Sequence, residues 1–123
     1  MKNKLFSLMP LLFIMLAFVP KPKVHFEKKE IDLGKIDKKE VYKETFIFEN
    51  TGTTPLIIDN IKTSCGCTTV TYSKEPIQPG AIGKIAVGYK PKKTDQGFIS
   101  KSFTIDFNNG EFRDFVFLKG IIE

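Results

Sequence analysis

The stretch ISKSFTIDFNNGEFRDFVFLKGII, Ile99 to Ile122, decides the fold. In its first half Ile99, Phe103, Ile105 and Phe107 share one face, while Ser100, Ser102, Thr104 and Asp106 share the other. That period of two is the mark of a strand with one buried side. Asn109-Gly110 follows, the pair that a tight hairpin prefers because both central residues must take positive φ. The second half, Phe112 to Ile122, is apolar on both parities, with Phe115 and Phe117 opposite Val116 and Leu118. A strand of that kind belongs in the middle of a sheet, where both faces meet other atoms.

Working outward, the same alternation returns in Ile85, Val87 and Tyr89, set between Lys84, Ala86, Gly88 and Lys90, and in Tyr42, Phe46 and Phe48 within Glu40 to Asn50. Val24 to Lys28, Leu56 to Lys62 and Cys67 to Tyr72 are further strand candidates. Turn chemistry separates them: Asn50-Thr51-Gly52, Gln78-Pro79-Gly80, Lys93 to Gly97 and Asn108 to Gly110. Pro79 presets the first corner of a type II turn and Gly80 supplies the positive φ of the second; Asn50 and Gly52 read as turn-formers. About seven short strands at this spacing, with no helical period in the domain, predict an all-β, immunoglobulin-like sandwich of antiparallel strands.

The chain before Val24 has a different character. Lys2 and Lys4 precede the apolar run Leu5 to Val19, which Pro10 interrupts and Pro20-Lys21-Pro22-Lys23 ends. This predicts an export signal over residues 1–20 and a folded domain over 21–123. The run is short of the about 20 residues that a comfortable membrane span needs. Cleavage would leave a periplasmic or secreted protein with no membrane insertion; retention of the segment would make it an N-terminal anchor. Of 19 basic residues, Lys2, Lys4, Lys21 and Lys23 lie in this leading part, so from Val24 onward 15 face 14 acidic ones. The basicity of the whole chain therefore belongs to its leader, and the domain lacks the concentrated basic face that nucleic acid demands.

The segment Phe46 to Ile58, FIFENTGTTPLII, followed by Ser64-Cys65-Gly66-Cys67-Thr68 and then by Pro76-Ile77-Gln78-Pro79-Gly80 and Gly83-Lys84-Ile85, resembles the bacterial family DUF1573. The likeness runs over nearly all of Phe26 to Ile122. It implies an immunoglobulin-like fold similar to the major sperm protein and ASH-type domains, and it implies no activity. Many members resemble lipoproteins, whereas here no cysteine follows the leader to carry a lipid.

Cys65 and Cys67 are the only cysteines. On an extended strand their Cα atoms would stand about 6.5 to 7 Å apart, the outer limit for a disulfide, and Gly66 would have to relax the backbone for the pair to close. Three uses remain open: packing at a tight bend, thiol exchange, and a soft-metal site for Cu(I), to which His25 would add at most a third ligand. Ser64 and Thr68 supply neighbouring hydroxyls. No nucleophile elbow, phosphate loop, dinucleotide fingerprint or zinc-helix motif is present, and the carboxylates are scattered among lysines. No cofactor is predicted. The expected function is an exported, non-catalytic binding or scaffold module that docks another envelope protein, with thiol-based redox or soft-metal handling by Cys65 and Cys67 as the alternative.

Overall fold

The computed structural model describes residues 21–123. The predicted signal segment, residues 1–20, lies outside the described residues. The strands are β1 (Val24–Phe26), β2 (Glu30–Ile36), β3 (Tyr42–Asn50), β4 (Ile58–Thr63), β5 (Thr68–Tyr72), β6 (Ile82–Tyr89), β7 (Gly97–Phe107) and β8 (Phe112–Ile122). They form two four-stranded sheets, ordered β1-β3-β6-β5 and β2-β8-β7-β4. This is the immunoglobulin-like sandwich that the alternating runs predict.

The β7–β8 hairpin closes with Phe107 opposite Phe112. Asn109 and Gly110 have φ of 56° and 80°, and the Glu111 N–H donates to the Asn108 carbonyl at 3.1 Å, as a tight primed turn requires. β8 is interior to its sheet, in line with its two apolar parities. Inward residues of the two sheets interlock. Phe46, Phe48, Ile85, Val87 and Tyr89 from one meet Phe103, Ile105, Phe107, Val116 and Leu118 from the other, all buried. Phe48 and Phe107 meet edge to face, with ring centroids 6.0 Å apart. Burying each such side chain contributes about 1.5 to 3 kcal/mol before the entropy of ordering it is counted.

One strand and one direction depart from the sequence reading. β2 was not among the strand candidates, and it pairs with β8 in parallel, Glu30 beside Phe117 and Ile36 beside Ile122. Its register shifts between Asp32 and Lys35, around Gly34, whose φ is +70°. The shift breaks the alternation of Ile31, Leu33 and Ile36, so no period of two survives to be read. Strand starts also move: Leu56 precedes β4, and Cys67 precedes β5 instead of opening it.

Candidate functional site

β4 and β5 are edge strands of different sheets, and the chain crosses between them through Ser64, Cys65, Gly66 and Cys67. The crossing is a turn. The Thr68 N–H donates to the Cys65 carbonyl at 3.3 Å, and the hydroxyls of Thr68 and Thr63 donate to the same oxygen at 2.8 and 3.1 Å. Two further ties fix it to the sheets. Ser64 exchanges bonds with Ser102 of β7, donating through its N–H and accepting at its hydroxyl, and the Lys90 N–H donates to the Cys67 carbonyl at 3.0 Å. Because the cysteines span a turn and not an extended strand, their Cα atoms are 5.2 Å apart and a disulfide joins them. Both are half-buried, and Cys67 packs against the core.

Gly66 is not what shapes this bend. Its φ is not positive, and a Cβ added there would meet nothing within 4 Å. The Cys65 carbonyl, held by two threonine hydroxyls, does the shaping. Gly66 is itself exposed, with open space where a side chain would stand.

Beside this turn, at the same end of the sandwich, Tyr89 pairs with both Tyr42 and Thr68. Its buried phenol donates to Asp95 Oδ2 at 2.8 Å, an oxygen that also accepts the Lys92 N–H at 3.0 Å. Burial pushes the Tyr89 hydroxyl well above its usual pKa, and the bond to Asp95 and that residue's charge push the same way. Asp95 is held below the usual carboxylate range, chiefly by the Lys92 N–H and further by Tyr89 and by the charges of Lys101 and Lys92. Both shifts lead away from neutrality, so this pair clasps the loop after β6 and is not poised for proton transfer.

At the opposite end stands Asn50, 1% exposed. Its Nδ2 donates to the carbonyls of Thr54 and Ile77, each at 2.8 Å, and its Oδ1 accepts the Gly52 N–H at 2.9 Å. Its own N–H donates to the Ala81 carbonyl and its carbonyl accepts the Gly80 N–H. Gly80 has φ +83°, and the Ala81 N–H donates to the Gln78 carbonyl at 2.9 Å, so Pro79 and Gly80 form the corners of a type II turn. Gly52 is required for a different reason. The segment Lys21 to Lys23 runs alongside, accepting the N–H groups of Thr51 and Thr53, and a Cβ on Gly52 would sit 2.7 Å from the Lys23 nitrogen and closer still to the Lys21 carbonyl. The sequence marks Asn50 and Gly52 as turn residues; their burial and close approach depend on chain segments distant in sequence, and no local signal carried them.

His25 is exposed on β1, opposite Glu49. Glu49 lies toward the far end of β3 from Tyr42, so His25 and the disulfide turn are on the order of 20 Å apart. His25 therefore cannot complete a site with Cys65 and Cys67, and while the disulfide is closed the pair offers no thiolate. Among the described residues no group of three His, Cys, Asp or Glu side chains converges.

The family model described as "Protein of unknown function (DUF1573)" matches residues 24–122. The chain belongs to the DUF1573 family. A protein of unknown function from Porphyromonas gingivalis W83 is similar in structure to this DUF1573 domain, with a TM-score of 0.71 and 19% identity over 89% of this chain and 51% of that one. The chain thus spans about half the length of that relative. PapD-like domain 7, an ASH / PapD-like domain of human CEP192, is similar over 98% of both chains, at 14% identity and a TM-score of 0.67. The YadV chaperone is similar over 81% of this chain and 52% of its own, at 15% identity and a TM-score of 0.61. No curated protein matches the DUF1573 chain in sequence. At these identities the likenesses establish the fold alone.

Proposed function

We propose that this DUF1573 domain is an exported, non-catalytic binding or scaffold module of the bacterial cell envelope, periplasmic or secreted, whose partner is another envelope protein. The observation that carries the reading is that two open four-stranded sheets leave edge strands facing outward, and an edge is a ready template for an extended segment of another chain. The leader, with its basic start and apolar run, supports export. Asn50, Gly52, Pro79 and Gly80 are consumed in building the fold, which removes them as chemical groups. Cross-linking the purified protein in an envelope extract tests the reading: a reproducible cross-linked partner supports it, and capture of nothing above a denatured control sinks it.

A second reading is favoured by one observation, the half-buried disulfide between Cys65 and Cys67. An external thiolate would attack one sulfur, forming a mixed disulfide there and releasing the other cysteine as a thiolate. A closed loop of so few residues gains little from the bond, which keeps it exchangeable. The reduced pair would also be the form able to take Cu(I). Replacing both cysteines with serine should then abolish the cellular phenotype while leaving the fold intact; an unchanged phenotype removes this reading.

A further inference from the structure

Edge strands are a hazard that proteins blunt by shortness, bulges, charge or proline. Three of the four edges here are blunted. β1 is 3 residues long. β2 is bulged between Asp32 and Lys35 and carries Glu30, Asp32 and Lys35. β4 is bulged between Ile58 and Asn60 and carries Asp59 and Lys62. The fourth edge, β5, reads Thr68-Thr69-Val70-Thr71-Tyr72, with no charge, no proline and unbroken register against β6.

The phase of its hydrogen bonding follows from one contact. The Lys90 N–H bonds the Cys67 carbonyl, and the register Thr68 to Tyr89 makes these two residues directly opposite. Hydrogen-bonded pairs alternate along an antiparallel ladder, so Thr69 and Thr71 bond β6 while the N–H and C=O of Val70 and Tyr72 point to the open side. The inward side chains of Val70 and Tyr72 pack on the core yet are only half-buried, so the rim of the core is unfinished along the same line. Lys74 lies two residues past the end of the strand, and Lys84 and Lys90 lie one step beyond its two ends on β6; all are exposed and none is among the ion pairs of the described residues.

We infer that β5 is the docking strand of this module: its open Val70 and Tyr72 backbone groups receive an extended, alternately apolar segment with acidic ends from a partner protein, added as the fifth strand of the first sheet. The inference rests on the binding-module reading and names its site and the chemistry of its ligand. Alternate apolar residues would complete the cover over Val70 and Tyr72, and acidic ends answer the lysines. A second copy of this chain suits the edge less well. Two-fold pairing about Val70 would bring Lys74 of one copy toward the Lys90 end of the other, and a contact of one short strand buries far less than the roughly 1,600 Å² of a standard interface.

The test is residue-resolved amide exchange on the purified protein with an acetylated, amidated heptapeptide, Asp-Val-Thr-Val-Thr-Val-Asp. Saturating peptide should slow Val70 and Tyr72 exchange by about tenfold or more, leaving the already bonded Thr69 and Thr71 unchanged. A counterpart with lysine ends should bind at least about fivefold more weakly at low salt. Val70→Pro removes an N–H that β6 does not use, so the sandwich should persist and binding should vanish. A peptide N-methylated at its central valine blocks the ladder from the ligand side and needs no change in the protein. No slowing at Val70 and Tyr72, equal slowing by the methylated peptide, or slowing that grows with protein concentration alone would each overturn the assignment. If the peptide docks on β5 but envelope cross-linking yields no partner, the module reading fails and the edge stands. If a cross-linked partner is retained by Val70→Pro, the reading stands and this edge is overturned.

Discussion

The two ends of the sandwich solve the same problem with different chemistry. At one end, the turn around Asn50 gathers Lys21 to Lys23, Thr54, Ile77 and Gly80 through hydrogen bonds made by a single buried amide and its neighbours. At the other, the crossing from β4 to β5 is fixed by a disulfide spanning a sequence separation of 2, with threonine hydroxyls on one carbonyl. The buried end joins segments far apart in sequence, so its loss releases several at once. The exposed end is local, so its loss should release little. Apparent prominence in the sequence runs opposite to expected energetic weight: the cysteines catch the eye, and the asparagine holds more.

The largest effect should come from Asn50→Ala, which leaves the Thr54 carbonyl and the Gly52 N–H without partners and the Ile77 carbonyl with the Leu56 N–H alone. The expected loss is about 3 kcal/mol, read from urea unfolding midpoints. A loss no larger than that of the disulfide would break the comparison. Next comes Gly52→Ala, whose new methyl would collide with backbone atoms of Lys21 and Lys23. About 2 kcal/mol should be lost, with exchange of the Thr51 and Thr53 amides speeding up first.

Replacing both Cys65 and Cys67 with serine should cost no more than about 1.5 kcal/mol, because so small a closed loop restricts the unfolded chain very little. Far-UV circular dichroism should be unchanged. Unfolding of that variant would mean the turn is not held by its hydrogen bonds. Smallest of all should be Gly66→Ala, within about 0.5 kcal/mol of the parent, since the added methyl points into open space. It sharpens the contrast with Gly52, the same substitution in a crowded setting.

Much of the fold was legible because alternation is a local signal. β6 carries an unbroken apolar alternation, β3 and β7 carry one interrupted only at Glu44 and Lys101, and the Asn109-Gly110 and Pro79-Gly80 turns announce themselves by residue type. β2 escaped because its bulge shifts the inward parity and because its pairing with β8 is parallel, which no hairpin turn marks. At the candidate site, the closeness of Cys65 and Cys67 was legible, but the turn between them was not, since it depends on Thr63, Thr68 and the tie to Lys90. The edge at β5 becomes visible only by comparison with the other edges, and which strands are edges is a property of sheet order, which local sequence does not encode.

That sheet order also sets a timetable. β8, last of the strands in chain order, is an interior strand of its sheet, bonded on one side to β7 and on the other to β2, with Glu30 beside Phe117. A chain lacking its final strand is missing a central plank, so β2 has no neighbour to join and half the core has no wall. Contacts between residues so distant in sequence form slowly, and a growing chain cannot make them until β8 has been synthesised. The first-made strands therefore wait for the one that joins β2 to β7, and the sandwich closes only when it arrives.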